Sequence, residues 1–429
     1  MPPVRVAISG GGLAGASLMN ALLQYSHLDV HIFESAPAFK EAGLAIGVTR
    51  NAQAALDLMG PSASQLLASA GAVPMRGVRF MIGQGEGEGQ VIDEVDDITA
   101  GKRLSSIVHR AAYLQELLAN VPKERLHASK KLTSVSRPLG DDGPISLQFK
   151  DGTTHECDVL VGADGIHSTV RKLILGEDDP AASPRNTGLW GVMTLQPYAK
   201  AQASLGQDLV DAEDAREYSW FGDGSYIMHN VLSGGQLVQF VACSSDPEAE
   251  SSDRWTRVVS ADEIRKLYMD WPSHLRQAVE QLLCQEPEQN ALYFWEHPPA
   301  RSYVSGPLCV IGDAAHAMTP WQGSGGGMSI EDSLILSSLL GCARTPVEAQ
   351  AALRAYDHVR RPRTQRVVES SRGTGMIVIG RGAHKGIELK RLGNFLSRWD
   401  FILDIDMLEH RNEAIRRMQN ELEVSPKQT

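Results

Sequence analysis

The chain has 429 residues, enough to bury a large hydrophobic core and to divide into about two domains. Hydrophobic residues make up 42% of it and charged residues 22%, which is typical of globular proteins. The formal net charge of −11 and the pI of about 5.6 argue against a nucleic-acid or anionic-membrane partner, because both require a cationic surface.

The five cysteines are scattered, without a C-x-x-C pair or a zinc-ligand grouping. They indicate free thiols in a reducing compartment and no metal site. Because a strand begins by Val4, no secretory signal is expected, and no run of about 18 apolar residues predicts a membrane span. We therefore expect a cytoplasmic protein without stable membrane insertion.

The N-terminal elements form a nucleotide-binding pattern. They are a strand over residues 4–9, the glycines Gly10, Gly12 and Gly15, a helix over 16–25, a strand over 29–33 and the acid Glu34. The first glycine allows a tight turn, the second lets a pyrophosphate approach the backbone, and the third lets helix and strand pack closely. The carboxylate would accept hydrogen bonds from adenosine ribose hydroxyls and would repel a 2′-phosphate. A glycine-rich turn followed by a surface glutamate is the alternative.

Two further segments in the first third of the chain are candidates for ligand contact. The glycines of residues 43–51 predict a flexible stretch, and Gly47 indicates that the backbone closely approaches another group. Arg110 stands near the start of the next amphipathic helix, where anions are normally preferred, so a pairing with an anionic ligand would explain it. An ordinary surface arginine is the alternative.

The next segment predicts a hairpin and a second ligand-facing loop. Asp151–Gly152 between two strand-like arms is a type I′ hairpin signal. The second arm continues as an apolar strand to Asp164–Gly165, with Ser168 and Arg171 at the start of the next helix. A strand that delivers an acid and a glycine to a loop is typical of a ligand-facing edge.

The sequence pattern changes between residues 186 and 245, where aromatic and β-branched segments alternate with glycine-rich turns. These segments predict antiparallel strands of a separate domain, and the low-complexity residues 83–90 predict a hairpin tip or a disordered loop. Residues 262–284 are predicted to be helical and 347–366 to form a basic-faced helix, and the stretch 372–386 is glycine-rich before a helical, charged C-terminal part.

The segment 308–332 predicts a strand, a loop and a helix. Apolar residues 308–311 form the strand, Gly312–Asp313 ends it, and a glycine-dense loop leads to the helix. Asp313 is placed to accept hydrogen bonds from a sugar hydroxyl. Uncovered backbone N–H groups at Gly325 and Gly326, near a helix N-terminus, favour an electron-rich partner.

Three signatures therefore stand in chain order: Gly10 to Gly15 with Glu34, Asp164–Gly165 with Ser168 and Arg171, and Gly312–Asp313 with His316 and Pro320. Together they resemble the single-component FAD-dependent aromatic hydroxylases, of the salicylate hydroxylase type with the para-hydroxybenzoate hydroxylase fold. The resemblance implies an α/β protein with a Rossmann-type FAD-binding domain, an inserted antiparallel β-sheet substrate domain and a helical C-terminal part. The expected bounds are 1–75, 102–180 and 298–375 for the FAD-binding domain, 76–101 and 181–297 for the substrate domain, and 376–429 for the C-terminal part.

The resemblance also implies the cofactor and the chemistry. FAD would be held by residues of these motifs, namely Gly10, Gly12, Gly15, Glu34, Gly47, Arg110, Asp164, Asp313, Pro320, Gly325 and Gly326. NAD(P)H would act as a transient co-substrate that reduces the flavin. O2 would then form a C4a-hydroperoxide whose distal oxygen is transferred to the ring of an aromatic small molecule. The protein would supply orientation, electrostatics and exclusion of water.

A phenolic substrate needs a group that holds or removes its hydroxyl proton. His229, on the strand 226–229, is our candidate for this base, with Tyr226 and Trp220 as weaker candidates, although a lone histidine on a strand is more often structural. His316 is expected to support the flavin motif. The family often places an arginine for acidic substrates near residues 189–192; no arginine stands there, which argues against salicylate itself. A homodimer is a further expectation.

Two other functions stay open at this point. An enzyme of the same fold could act as an oxidase or reductase without inserting oxygen, and a nucleotide-binding protein without turnover could use it as well, because fold does not fix chemistry. Product hydroxylation coupled to NAD(P)H consumption would exclude the first alternative. A purified protein that gains no flavin absorbance on addition of FAD would favour the second.

Overall fold

The computed structural model describes residues 2–40, 45–137, 143–381, 392 and 395–424. The strands in chain order are β1 (Val4–Ser9), β2 (Leu28–Phe33), β3 (Ala45–Val48), β4 (Val73–Met75), β5 (Gly77–Ile82), β6 (Val91–Asp96), β7 (Ser105–His109), β8 (Leu126–His127), β9 (Leu132–Ser136), β10 (Ile145–Phe149), β11 (Thr154–Cys157), β12 (Val159–Gly162), β13 (Arg185–Pro197), β14 (Arg216–Phe221), β15 (Ser225–Leu232), β16 (Leu237–Ser245), β17 (Thr256–Ser260), β18 (Glu288–Glu296), β19 (Val304–Ser305) and β20 (Leu308–Val310).

The helices are named in the same way. They are α1 (Leu13–Leu22), α2 (Arg50–Met59), α3 (Pro61–Ser69), α4 (Arg110–Leu118), α5 (Thr169–Leu175), α6 (Tyr198–Leu205), α7 (Ala261–Leu267), α8 (Ser273–Leu282), α9 (Asp313–His316), α10 (Gly325–Cys342), α11 (Pro346–Val378), α12 (Asp400–Leu403) and α13 (Met407–Val424). None of the helices in these described ranges has the length and apolar character needed to cross a bilayer.

A six-stranded sheet with the order β19-β20-β12-β1-β2-β8 carries the N-terminal motif. Its strands run parallel except β19, which pairs antiparallel to β20. Strands β1 and β12 are buried at nearly every position, because their valine, isoleucine, leucine and alanine residues are covered on both faces of the sheet. Helices α1, α10 and α11 contribute to this core. This parallel sheet confirms the predicted α/β class.

An eight-stranded, largely antiparallel sheet has the order β17-β18-β13-β16-β15-β14-β5-β6. One of its faces packs on helices α6, α7 and α8 around the buried Trp220 and Phe240; we call it the helix face. The opposite face packs around Phe221, Phe294 and Trp321 and meets the end of α11; we call it the open face. Because side chains alternate along a strand, neighbouring residues point to different faces.

Residues 262–284 are largely helical, as predicted, and form two helices, α7 and α8. The glycine-rich stretch 372–386 begins within α11, which continues to residue 378, and residues 382–386 lie outside the described ranges. One local prediction was wrong. The hairpin between β10 and β11 is not type I′, because Gly152 has a φ of +83° whereas Asp151 is not among the residues with positive φ.

The eight-stranded sheet takes its strands from residues 77–96 and 185–296, and the six-stranded sheet takes β1, β2, β8, β12, β19 and β20. A three-stranded sheet has the order β3-β7-β4. The predicted domain bounds stay a prediction. In the C-terminal part, α12 and α13 are helical as expected, and residues 425–429 lie outside the described ranges.

Candidate active site

Four predicted contact positions follow neighbouring parallel strands. Gly10 follows β1, Glu34 follows β2, Asp164 follows β12 and Asp313 follows β20. These strands lie side by side in the order β20-β12-β1-β2. Their carboxyl ends therefore form one edge of the sheet, which is where α/β folds bind nucleotides.

The turn from β1 to α1 leaves no room for side chains. Gly10 has a φ of +112°, and a Cβ there would lie 2.1 Å from the carbonyl oxygen of Ala163. A Cβ at Gly15 would lie 2.0 Å from the carbonyl oxygen of Gly10, so glycine lets α1 pack directly on β1. Gly12 immediately precedes α1 and has no side chain to cap it. The backbone therefore lies open at the N-terminal end of α1, which is the end of a helix that favours an anion, and this cradle fits a pyrophosphate.

The Glu34 carboxylate is fixed at the same edge. Its Oε2 accepts a hydrogen bond from the N–H of Gly11 at 2.7 Å, and its Oε1 accepts one from the N–H of Ala36 at 2.7 Å. The Ser35 hydroxyl also donates to Oε1 at 3.1 Å, whereas Oε2 keeps a second lone pair and can still accept a hydrogen bond from a ribose hydroxyl. The position and chemistry of Glu34 therefore fit the adenosine end of a dinucleotide.

The loop after β20 brings Asp313 to the start of α1. Gly312 has a φ of +59°, and a Cβ there would lie 2.6 Å from the Cβ of Ala14 in α1. Glycine is therefore required for this close contact between the loop and the helix. The side chain of Asp313 is exposed, so it can accept hydrogen bonds from a polyol chain.

The predicted glycine loop is the first turn of α10. Gly325 and Gly326 are the first two residues of this helix, so their N–H groups have no acceptor within it. A Cβ at Gly326 would lie 3.4 Å from the side chain of Ile46 in β3, and a Cβ at Gly47 would lie 3.7 Å from the carbonyl oxygen of Gly323. Strand β3 and the start of α10 therefore face each other, as expected if both contact one ligand.

Arg110 and Pro320 complete the predicted set. Arg110 is the first residue of α4 and directly follows β7, which pairs with the β3 strand of Gly47. Pro320 is exposed and lies between α9 and α10. Arg110 thus follows a strand that pairs with β3, and Pro320 precedes α10 in the chain; their contact with a cofactor stays a prediction.

Asp164 has a structural role that the sequence did not reveal. Its Oδ1 accepts a hydrogen bond from the Ser168 hydroxyl at 2.5 Å, and its Oδ2 accepts from the N–H groups of Thr169 at 2.8 Å and Val170 at 3.2 Å. These bonds cap the start of α5. The buried Arg171 donates to the carbonyl oxygen of Ala315 at 2.6 Å and so ties this loop to α9. A direct contact of Asp164 with the cofactor stays a prediction.

A buried ion cluster joins α10 to α11. Glu331 and Asp332 of α10 are 0% exposed, and Arg360 of α11 donates to them at 2.5 and 2.8 Å respectively. Asp332 also binds Nε2 of His316 at 2.7 Å, which agrees with the supporting role expected for that histidine. Burial alone would raise the pKa of Glu331, but Arg360 and Arg363 lower it to about 2. The sequence analysis did not identify this cluster. The pattern that could have revealed it is a pair of adjacent acids inside an otherwise apolar helix.

The open face of the eight-stranded sheet forms an aromatic wall beside Pro320. The next residue, Trp321, meets the ring of Tyr226 edge-on with centroids 5.3 Å apart and the ring of Phe294 with centroids 5.7 Å apart. Strand alternation places Met228 on the same face as Tyr226. Aromatic rings and thioether groups suit a flat apolar ligand.

His229 lies on the helix face, away from this wall. It is 1% exposed, its ring stacks on Tyr218 with centroids 5.1 Å apart, and its Nε2 accepts a hydrogen bond from Nε1 of Trp220 at 3.3 Å. Burial lowers the pKa of His229 to about 3, so the ring is neutral. The structure therefore does not support His229 as a substrate-facing base. The same holds for Trp220, whereas Tyr226 remains a candidate.

Comparisons with known proteins agree with this geometry. A family model described as FAD binding domain matches residues 3–371. The 6-methylsalicylate 1-monooxygenase of Aspergillus terreus is 38% identical over 377 residues, which cover 86% of this chain and 82% of that protein. A salicylate hydroxylase of Pseudomonas putida is 33% identical over 426 residues, which cover 95% of each protein. The structure of a salicylate hydroxylase substrate complex matches with a TM-score of 0.81 at 25% identity, covering 96% of this chain and 98% of that one.

The family match spans most of the chain and includes all the glycine and acid positions at the sheet edge. The cradle at Gly10 and Gly15 and the fixed Glu34 carboxylate fit FAD independently of that match. The chain therefore belongs to the FAD-binding family that contains salicylate hydroxylase, and it is an FAD-dependent monooxygenase of the aromatic hydroxylase type.

Proposed function

We propose that this enzyme hydroxylates the ring of a phenolic small molecule, with NAD(P)H and O2 as co-substrates. The observation that carries the proposal is the aromatic wall, where Tyr226 and Phe294 meet Trp321 edge-on beside Pro320. A planar ring packs well against such a surface, and the Tyr226 hydroxyl is a polar group that can contact a ring hydroxyl. The names of the salicylate-type relatives support a phenolic substrate.

The sheet edge would hold the cofactor. The N-terminal end of α1 would bind the pyrophosphate, Glu34 the adenosine ribose and Asp313 the ribityl chain. The first-turn amides of α10 would donate to the flavin ring. The remaining proposed contacts are Gly15, Gly47, Arg110, Asp164, Pro320, Gly325 and Gly326. When bound, the flavin supplies oxidation of the nicotinamide and activation of O2.

The charge of the open face bears on the choice of substrate. On β14 to β16, within the described residues, this face presents no arginine or lysine, and it carries Glu217 on β14. Arg185, at the start of β13, is paired with Glu296. A substrate carboxylate would find no ion-pair partner on these strands and would be repelled by an ionised Glu217. We therefore propose that a ring hydroxyl is required for turnover and that a carboxylate is not.

The test is a comparison of matched phenols with and without an ortho carboxylate. FAD-loaded enzyme is incubated with each compound, NAD(P)H consumption is followed, and products formed under 18O2 are identified by mass. We expect phenols to stimulate consumption, to gain one labelled oxygen, and to show kcat/KM values at least equal to those of their carboxylated analogues. Consumption of NAD(P)H without labelled product from any phenol would refute the proposal and favour an oxidase.

We also propose a cytoplasmic location without a nucleic-acid or membrane partner. The net charge of −11 and the free cysteines Cys157, Cys243, Cys284, Cys309 and Cys342 support it. A homodimer stays a prediction that light scattering of the purified holoenzyme would test.

A further inference from the structure

Two residues of α11 hold the chain on either side of Pro320. The Ser371 hydroxyl donates to the carbonyl oxygen of Thr319 at 2.7 Å, and both residues are buried. The indole of Trp321 lies against Gly375, where a Cβ would be 2.3 Å from Nε1. Residues 371 and 375 are four apart and therefore share one face of the helix. One turn of α11 thus fixes both neighbours of Pro320.

The position of Gly375 requires the absence of a side chain. It lies inside a helix, where glycine is less favourable than alanine, so its presence there calls for a packing reason. The Trp321 indole is that reason, since a Cβ at Gly375 would also lie 2.5 Å from Cδ1 and 2.8 Å from Cε2 of the ring. In the part of the chain that the structure describes, Nε1 of Trp321 has no hydrogen-bond partner. Packing therefore sets the place of the indole.

The aromatic wall holds the indole from other directions. Tyr226 and Phe294 both meet the ring of Trp321 edge-on. The Phe294 ring is itself seated on backbone, because a Cβ at Gly191 would lie 2.8 Å from its Cζ, and the Tyr226 hydroxyl oxygen lies 2.8 Å from that of Ser219. Neither ring is free to yield. An indole pushed away from α11 would therefore move into the space in front of the wall.

We propose that Gly375 determines which ring systems the enzyme accepts, because the missing side chain lets the Trp321 indole sit back against α11 and leave room for a substrate at the wall. The inference rests on the proposed phenolic substrate. The indole is only partly buried, so it offers a surface that limits the width of the bound ring system. A single ring is therefore preferred to two fused rings. Gly375 acts through Trp321 and is a positioning residue.

Four variants test whether the two positions act together. Gly375→Ala brings a Cβ against the indole. The matched control is Gly373→Ala, the same change two residues earlier in α11, because the new Cβ there would meet the end of the flexible Arg398 side chain at 2.9 Å. Trp321→Ala removes the ring, and the double variant Gly375→Ala/Trp321→Ala measures the coupling between the two positions. The double variant has no clash at residue 375, so it also serves if Gly375→Ala does not fold.

The readout is the Kd of phenol and of 2-naphthol for the FAD-loaded enzyme, measured from the change in flavin absorbance. A loss of folded protein lowers the signal for both compounds but leaves the ratio of their Kd values unchanged, so this ratio separates positioning from a general loss of structure. In Gly375→Ala the ratio of the 2-naphthol Kd to the phenol Kd should rise about 10-fold, the scale on which apolar pockets discriminate by size. Gly373→Ala should keep the original ratio. In Trp321→Ala the ratio should fall about 10-fold, and adding Gly375→Ala to that variant should not change it further.

An unchanged ratio in Gly375→Ala would overturn the inference, as would an equal rise in Gly373→Ala or an effect of Gly375→Ala that persists without the indole. An unmodified enzyme that binds neither compound would overturn it as well. Failure of the proposed function alone gives a different result. In that case the Kd ratios would shift as expected, but the unmodified enzyme would form no labelled product from phenol or 2-naphthol under 18O2.

Discussion

Replacing Arg360 by leucine is expected to destabilise the nucleotide-binding core. The guanidinium of Arg360 is 0% exposed and donates to Glu331 at 2.5 Å and to Asp332 at 2.8 Å. Removing one partner of a buried ion pair costs about 3–5 kcal/mol, because the other charge stays buried. Glu331 keeps its hydrogen bond from Arg363 and Asp332 keeps that of His316, so we expect the lower value, about 3 kcal/mol.

The assay is urea-induced unfolding of the FAD-loaded protein, followed by tryptophan fluorescence. Arg361→Leu is the control, because it makes the same substitution one residue later in α11, where Arg361 pairs with Asp357 at 2.9 Å and both side chains are partly exposed. Such helix pairs contribute about 0.3–0.5 kcal/mol. Because Arg360 also donates to the carbonyl oxygen of Met328 in α10, its loss should weaken FAD binding as well. Equal unfolding free energies for the two variants would refute the reasoning.

Three other outcomes follow from the sheet edge and the ion cluster. Gly10→Ala should lose its flavin absorbance on gel filtration, because the new Cβ would lie 2.1 Å from a backbone oxygen. The control is Gly206→Ala, where φ is a similar +105° but no atom lies within 4 Å of the new Cβ, and this variant should keep its flavin absorbance. Glu34→Gln should weaken FAD binding about 10-fold in a fluorescence titration, because the ribose hydroxyls would then donate to a neutral amide oxygen and not to a carboxylate. An unchanged Kd would exclude Glu34 from the site. The pKa of Glu331 is lowered from 4.5 to about 2, so its carboxylate contributes to stability above pH 4.5 and this contribution is lost as the pH falls towards 2. The loss should amount to about 3 kcal/mol, and unfolding free energies that do not change across this range would contradict it.

The sheet edge could be predicted because its signals are local. The turn at Gly10 needs a positive φ and excludes a Cβ, and only glycine meets both conditions. Glu34 ends the strand that pairs next to β1, so its place at the edge follows from strand order. The same reasoning predicted Asp313, because a loop that follows a parallel strand must open at the carboxyl edge.

The ion cluster and the Asp164 cap could not be predicted, because their partners come from other elements. Nothing near Glu331 and Asp332 in the sequence indicates that Arg360, on the next helix, faces them. Asp164 has the same acid-glycine pattern as a ligand-binding loop, and only the position of α5 shows that its oxygens cap a helix. In both cases the partner of a charged residue becomes known only when the neighbouring helix is placed.

The error at His229 has a simpler origin. His229 and Tyr226 are three residues apart on β15 and therefore point to opposite faces, but both faces of this strand are rich in apolar residues. The contact of Trp321 with Tyr226 decides which face borders the flavin loop. Strand register then places His229 on the other face. A shift of one residue would exchange the two faces, so a His229 side chain that is essential for turnover but not for folding would show that the strand register itself is wrong.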